Sequence, residues 1–355
     1  MKIGLFGLPK SGKTTLFNAL TKSEAPVSAY ASAKAEPNIA IVKVSDERVK
    51  ILSDMYKPKK TVYATIEIVD VVGIAEDSIK QDAFAGEMLK VIRNADALAL
   101  VIRGFASDMA GPASPLDDLK KIEEEAILSD LIVVEKRLEK IRAGYTKGQK
   151  NDALLMEEKV LQKACEQLNK SEPIRKLQFS PEEELAIRGF QFLTKKPAIV
   201  IINTDEESYG KNTALIQEIS KEYSAVEFAG NFEMELSRLE EQEARMFMDD
   251  FGITESAKDR LTKIAYDTLG YISFFTVGTD EVRAWNIKNG ATAVDAAGSI
   301  HSDLARGFIA AECFSYKDLI ELGSEKAIKE KGRFHLEGKE YIVSDGDIMS
   351  IRFNV

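Results

Sequence analysis

The loop at residues 7–14 reads Gly-Leu-Pro-Lys-Ser-Gly-Lys-Thr and constrains this chain more than any other segment. It follows an apolar run at residues 2–7 that predicts a buried strand, and it precedes residues 14–22, which predict a helix. In a G-x-x-x-x-G-K-[ST] loop between a strand and a helix, backbone N–H groups point inward and bind phosphate oxygens. The sequence therefore predicts a P-loop with a nucleoside triphosphate as its ligand.

The side chains of this loop predict separate tasks. Lys13 is expected to reach the β- and γ-phosphates, and the Thr14 hydroxyl is expected to bind Mg²⁺. Further nucleotide contacts are predicted for Pro9, Lys10, Ser11, Gly12 and Thr15.

A second motif, D-x-x-G, stands at the end of the apolar run at residues 65–72. In a P-loop protein an aspartate in this place holds Mg²⁺ through water, and the glycine amide meets the γ-phosphate. Because the pattern follows a P-loop by about 55 residues, we expect Asp70 at the metal and Gly73 at the nucleotide.

The third motif, Asn-Thr-Asp-Glu at residues 203–206, follows the apolar run at residues 197–203. P-loop GTPases read guanine here with N-K-x-D, whose aspartate accepts hydrogen bonds from the N1–H and 2-amino groups, and adenine has neither donor. Thr204 and Glu206 break that pattern although Asn203 remains, so Asn203 and Glu206 are predicted to read adenine. A polar loop without a ligand is the alternative. Gly230, after the next strand, is expected to contact the base through its backbone.

The remaining patterns predict an α/β fold with two additions. The apolar runs, including residues 95–103, are continuous, as in parallel strands covered on both faces, with helical stretches between them. Residues 116–190 are helical and charged, and two apolar stripes flank a turn at residues 143–151, which predicts an inserted antiparallel helical hairpin. The stripes are Ile127, Leu131, Val134, Leu138 and Ile141, then Leu154, Leu161, Cys165 and Leu168.

From about residue 275 the pattern is that of a small α+β domain. Strand-like runs at residues 274–278, 281–287, 341–343 and 349–355 alternate with turn signals. The aromatic residues Phe274, Phe275, Trp285 and Phe308 are predicted to be core, and His301 is predicted to form a structural hydrogen bond.

Composition limits the function classes. The net charge of −10 excludes a uniformly basic nucleic-acid binder, and two cysteines and two histidines argue against a disulfide framework or a histidine metal site. No apolar run approaches a membrane span and no signal-peptide pattern opens the chain, so we predict a cytoplasmic protein with no membrane partner. A local basic patch predicts RNA contact, with a solvated helix face as the alternative: Lys136, Arg137, Lys140, Arg142, Lys147 and Lys150.

Taken together, these motifs resemble the YchF subfamily of Obg-related P-loop proteins, the Obg-like ATPases. The resemblance covers nearly the whole chain and is strongest in the C-terminal segments at residues 275–285, 290–293, 300–303 and 345–347. It implies a GTPase-like domain in two parts (residues 1–115 and 191–274), a coiled-coil hairpin (residues 116–190) and a ubiquitin-like TGS domain (residues 275–355). It also implies ATP preferred over GTP and a ribosomal partner met by the hairpin and the TGS domain. We expect the protein to be a monomer.

The sequence departs from this subfamily where catalysis is expected. Lys10 stands where the subfamily has an asparagine, and its ammonium lies either near the phosphates or in solvent. Lys10 and Lys13 are the catalytic candidates. Lys34 stands near the position where the subfamily has a threonine that binds Mg²⁺. Either the metal is held by Thr14 and waters alone, or Lys34 contacts the γ-phosphate, or Lys34 lies in solvent. Ile74 stands where Ras-like enzymes have a glutamine, and residues 105–117 lack the subfamily's histidine. We therefore expect slow hydrolysis, with a non-hydrolysing binding module and a GTP-binding protein as alternatives.

Overall fold

The computed structural model describes residues 1–21, 37–70, 84–106, 111–250, 253 and 255–354. The chain forms two compact units. One comprises Lys2–Ala40 and Glu67–Arg260, and the other comprises Ile41–Ile66 and Leu261–Val355 with Met1. Sequence analysis assigns residues 41–66 to the P-loop domain, whereas in the structure they belong with the C-terminal residues. The predicted four-part division of the chain stays a prediction.

The strands of the described residues are β1 (Lys2–Phe6), β2 (Asn38–Lys43), β3 (Lys60–Val62), β4 (Thr65–Asp70), β5 (Ala97–Arg103), β6 (Ala198–Thr204), β7 (Ser224–Ala229), β8 (Tyr271–Thr276), β9 (Glu281–Lys288), β10 (Phe308–Ser315), β11 (His335–Glu337) and β12 (Asp347–Phe353). The helices are α1 (Lys13–Thr21), α2 (Glu47–Tyr56), α3 (Phe84–Arg93), α4 (Pro115–Tyr145), α5 (Asp152–Leu168), α6 (Pro181–Ile187), α7 (Thr213–Ile219), α8 (Gly230–Arg238), α9 (Glu241–Asp250), α10 (Ala257–Leu269), α11 (Ala293–Ile300), α12 (Ser302–Arg306), α13 (Tyr316–Leu322) and α14 (Glu325–Glu330).

The first sheet has the order β2-β4-β1-β5-β6-β7. Strand β1 pairs in parallel with β4 and β5, and β5–β6 and β6–β7 are also parallel. Every residue of β5 and β6 is buried, which explains why their sequences are continuously apolar. The predicted parallel α/β core is confirmed, and it brings the carboxyl ends of β1, β4, β6 and β7 to one edge of the sheet.

Helices α4 and α5 form the predicted hairpin. Their shared core contains Val134, Leu138 and Leu161, with the predicted Leu131, Leu154 and Cys165 packed at its border. Pro115 begins α4, where a missing N–H costs nothing, and Asn151 caps α5 by accepting a hydrogen bond from Leu154 N. The turn is shorter than predicted because α4 continues to Tyr145, whose hydroxyl donates to Glu158.

The second unit is built on a sheet of order β11-β10-β12-β8-β9-β3. Phe274, Phe308 and the alanines of α11 share one core, so the aromatic residues are core as predicted, with Trp285 partly buried beside them. His301 caps α12 by accepting a hydrogen bond from Asp303 N, which confirms its structural role.

One strand prediction for this unit was wrong, and two strands were missed. Residues 341–343 contribute only an isolated bridge between Ile342 and Thr292, and β10 and β11 were not predicted. The alanines and glutamate in the middle of β10 have weak strand propensity, so pairing with β12 decides its conformation. Within the residues that the structure describes, no helix is both long and apolar enough to cross a lipid bilayer.

Candidate functional site

The loop between β1 and α1 has a backbone that only glycine allows at two positions. A Cβ on Gly7 would lie 2.4 Å from the Val101 carbonyl oxygen of β5, a backbone atom that cannot easily move. Gly12 has a φ of +92°, and a Cβ there would lie 2.0 Å from the side-chain nitrogen of Asn203. The loop therefore lies directly against β5 and β6, and the N-terminus of α1 follows it.

Lys13 is buried under this loop. Its Nζ donates hydrogen bonds of 2.8 Å to the carbonyl oxygens of Gly7 and of Leu8, and only 8% of the residue is exposed. Burial lowers the pKa of Lys13 to about 8, against the opposing charges of Asp70 and Glu125. A desolvated ammonium of this kind gains strongly from an anionic ligand, as the P-loop prediction requires.

Thr14 and Asp70 meet at the carboxyl ends of β1 and β4. The Thr14 hydroxyl donates to Asp70 Oδ2 at 2.9 Å, and Asn38 Nδ2 donates to the same oxygen at 3.4 Å. Asp70 is fully buried, and its Oδ1 has no hydrogen-bond partner. Burial raises the pKa of Asp70, while the Thr14 bond and the Lys13 charge act in the opposite direction.

This pair fits a hard divalent cation. A threonine hydroxyl and a carboxylate with an unpartnered oxygen are the ligand types that Mg²⁺ takes, together with waters and phosphate oxygens. Among the described residues no group of three or more histidine, cysteine, aspartate or glutamate side chains forms another metal cluster. Asn38, which sequence reasoning did not assign, orients the carboxylate.

Three more residues of the loop differ in their exposure to solvent. Ser11 is buried and its hydroxyl has no hydrogen-bond partner, whereas Pro9 and Lys10 are exposed. Lys10 has a φ of +64°, a left-handed conformation that costs a non-glycine residue about 1 kcal/mol. Its contact with phosphate stays a prediction.

Asn203 connects the phosphate loop to the other side of the site. Its Nδ2 donates to Ser11 O at 3.0 Å, and its Oδ1 accepts from Gly230 N at 3.2 Å. A Cβ on Gly230 would lie 2.8 Å from that oxygen and 3.2 Å from Thr15 Cγ2, so the junction has no spare room. Both polar ends of the Asn203 amide are therefore bonded to backbone, and this side chain positions the loop.

Glu206 lies beyond this junction on an exposed turn. The turn is shaped by Asp205, which accepts a hydrogen bond from Ser208 N, and by the buried Glu227, which accepts from Gly210 N at 3.0 Å and from Asn212 Nδ2 at 2.7 Å. Sequence reasoning missed Glu227, although a carboxylate inside the apolar strand β7 was a usable signal. The predictions for Gly73, Lys34 and Ile74 lie outside the described residues.

Comparison with known proteins agrees with this geometry. Residues 2–137 match the family model for a 50S ribosome-binding GTPase, and residues 271–354 match the model YchF-GTPase_C, described as a protein of unknown function (DUF933). The chain is 38% identical over 363 residues to the Ribosome-binding ATPase YchF of Bacillus subtilis (strain 168), covering 99% of both chains. It is 38% identical over 362 residues to the protein of that name from Escherichia coli O157:H7, covering 100% of this chain and 99% of the other.

A solved structure gives the same result for the fold. The structure of the Schizosaccharomyces pombe YchF GTPase is similar with a TM-score of 0.83 and 31% identity, over 99% of this chain and 97% of that one. Since the similarity extends over both units and includes the phosphate loop, this chain belongs to the YchF family of P-loop proteins.

Proposed function

We propose that this protein is a switch that binds ATP with Mg²⁺, hydrolyses it slowly and associates with the ribosome. The carrying observation is the group formed by the buried Lys13 and Asp70 and the half-buried Thr14 at the phosphate loop, in a chain whose relatives are named ribosome-binding ATPases. The proposal includes a cytoplasmic monomer whose TGS domain (residues 275–355) meets the same partner.

The residues of the site divide the work of phosphate binding. Lys13 exchanges its hydrogen bonds to the Gly7 and Leu8 carbonyls for the β- and γ-phosphates, while Thr14 and Asp70 hold the metal. When bound, Mg²⁺ neutralises charge on the β- and γ-oxygens. Backbone N–H groups of residues 10–15 and of Gly73 complete the proposed phosphate contacts.

Slow hydrolysis follows from what is missing around the phosphates. The sequence has no histidine at residues 105–117 and an apolar Ile74 after Gly73, so no side chain is assigned to orient the attacking water.

Single-turnover hydrolysis of ATP tests the prediction of slow hydrolysis, with Lys13→Ala and Lys10→Ala as comparisons. Turnover at the rate of efficient ATPases without a partner would contradict slow hydrolysis. A complete absence of ATP hydrolysis would favour a non-hydrolysing binding module. A loss with Lys10→Ala would support an ammonium acting on the phosphates.

Preference for ATP rests on the broken guanine pattern at residues 203–206. Asn203 is bonded to backbone on both sides, so Glu206 is the side chain left to read the base. Calorimetric competition between ATP and GTP tests this preference. GTP binding tenfold tighter, or about 1.4 kcal/mol, would overturn it.

Ribosome binding is proposed to use the tip of the hairpin, which we define as residues 131–150. Arg137 forms an ion pair of 2.6 Å with Glu157, and the other basic residues of the tip are exposed: Lys136, Lys140, Arg142, Lys147 and Lys150. Such a surface fits the phosphate backbone of rRNA. Because each phosphate contact adds about 0.7–0.9 to the slope of log affinity against log salt, Lys147→Glu with Lys150→Glu should flatten that slope by about 1.4–1.8 in ribosome co-sedimentation. Lys211→Glu, on another exposed turn, is the control. An unchanged slope would exclude the tip.

A further inference from the structure

A buried carboxylate fixes the middle of the hairpin helix α4. Asp130 is fully buried and accepts hydrogen bonds from Leu193 N at 3.1 Å, from Thr194 N at 2.8 Å and from Thr194 Oγ1 at 2.8 Å. These bonds hold α4 against the segment that leads into β6. They leave one side of the carboxylate for a cation.

That cation is Arg93, the last residue of α3. Its Nη1 donates to Asp130 Oδ1 at 2.8 Å, its Nη2 donates to Ser129 Oγ at 2.7 Å, and only 13% of the side chain is exposed. A buried ion pair is costly unless hydrogen bonds satisfy both partners, and here they do. We name Arg93, Ser129, Asp130 and Thr194 the clamp, because its geometry ties α3 and α4 to each other at one point.

The same two helices also pack beside the phosphate loop. Ile92 of α3 and Ile122 and Ala126 of α4 belong to the apolar cluster that includes Phe6 of β1, with Leu8 of the loop packed against it. Glu125, between Ile122 and Ala126, acts electrostatically on Lys13. A movement of the phosphate loop therefore acts, through Leu8 and this apolar cluster, on the part of α4 that lies about one turn before the clamp.

We propose that the clamp couples the nucleotide state of the phosphate loop to the position of the hairpin tip, so that α3 and α4 move as one lever. This inference rests on the proposed ATP-binding function and assigns its regulatory output. Arg93 is a positioning residue in this scheme, since it acts on the tip through Asp130 and touches no nucleotide.

The helix geometry sets the size of the expected movement. Helix α4 has 31 residues, and Asp130 lies at its midpoint. At about 1.5 Å per residue each half of the helix is about 23 Å long, so with the clamp as the fixed point a shift of about 2 Å at the phosphate-loop end of α4 becomes an opposite shift of about 2 Å at the tip. A spin-label distance measurement resolves a change of that size.

The test uses the full chain with spin labels at Lys147→Cys on the tip and Gln217→Cys on α7 in the same unit, in a Cys165→Ala background. Cys313 is buried and stays. Distances are compared without nucleotide and with Mg²⁺ and a non-hydrolysable ATP analogue. We expect a shift of about 2 Å that Arg93→Met abolishes. The exposed Arg188→Met, the matched control, should keep it.

Two further measurements keep the test decisive. Arg93→Lys retains the charge but cannot donate to Ser129 and Asp130 in the same geometry, so it should give an intermediate shift if Arg93→Met does not fold. Analogue affinity is measured on the same samples. Saturating analogue without a shift in the parent protein, or an unchanged shift in Arg93→Met, would overturn the coupling and leave the ATPase proposal standing. Failure of the analogue to bind would overturn both.

Discussion

The two ends of the nucleotide site are built in opposite ways. At the phosphate end, Lys13 and Asp70 are buried, hydrogen-bonded and next to unpartnered polar atoms of Ser11 and of Asp70 itself. At the base end, the buried residue Asn203 is bonded to backbone on both sides, and Glu206 is exposed. We therefore expect the buried Lys13 and Asp70 to supply most of the affinity for ATP, and the exposed Glu206 to supply a weaker contact that gives selectivity.

Asn203 lies between these two ends. It occupies the place of a base-reading motif, yet its bonds run to Ser11 of the phosphate loop and to Gly230 at the start of α8. A residue type in a known motif therefore identifies a place in the fold more securely than it identifies a contact with ligand. Each prediction below separates the two ends by changing one of them.

The largest effect on ATP affinity is expected from a substitution of Lys13. Lys13→Met removes a buried cation that would bind two phosphates, and charge-assisted hydrogen bonds contribute about 1.5–3 kcal/mol each, so ATP affinity should fall about 100-fold or more. Calorimetry measures this affinity, with the exposed Lys170→Met as the control. Affinity within threefold of the parent protein would show that the phosphate end does not carry binding.

The next effect is expected at Asp70, where affinity and stability should change in opposite directions. Asp70→Asn should weaken Mg²⁺-dependent ATP binding about tenfold and leave binding in EDTA intact, because it removes a metal ligand and no phosphate contact. It should also raise the free energy of unfolding by about 1 kcal/mol at pH 7, since a buried carboxylate with an unpartnered oxygen loses its charge.

The pH dependence of this gain in stability has a definite sign. Burial raises the pKa of Asp70 in the folded protein, so ionisation of Asp70 destabilises the fold. The penalty is absent below the pKa of the unfolded chain, about 4, and grows as the pH rises through the folded value. Denaturant unfolding should therefore show the advantage of Asp70→Asn at pH 7 and its disappearance near pH 4. A constant difference between these pH values would contradict the assignment.

A smaller and non-selective effect is expected at Asn203. Asn203→Ala leaves Ser11 O and Gly230 N without their buried partner, which should cost about 1–3 kcal/mol of stability and weaken ATP and GTP by similar factors. Affinities for both nucleotides measure this, and Asn231→Ala, exposed beside Gly230, is the control. Weaker ATP binding with unchanged GTP binding would give Asn203 a role in reading the base after all.

The sequence predicted the parts of this molecule that local rules determine. The phosphate loop, β5, β6 and the hairpin were found because a glycine pattern, continuous apolar runs and heptad spacing each require one kind of local structure. The clamp and the Asn38–Asp70 bond were missed because they join residues far apart in sequence with no periodic signal. Strand β10 was missed for a related reason, since its pairing with β12 overrides a weak propensity.

The smallest effect, and the most informative one for the base end, is expected at Glu206. If this carboxylate accepts a hydrogen bond from the adenine 6-amino group, Glu206→Gln should weaken ATP by about 1 kcal/mol, or about fivefold, because an exposed contact is screened by solvent. GTP affinity should not fall, since guanine presents a carbonyl oxygen there. The neighbouring exposed Glu207→Gln is the control. Equal losses for ATP and GTP in calorimetry would show that the turn acts without reading the base, and selectivity would then have to come from the backbone around Gly230.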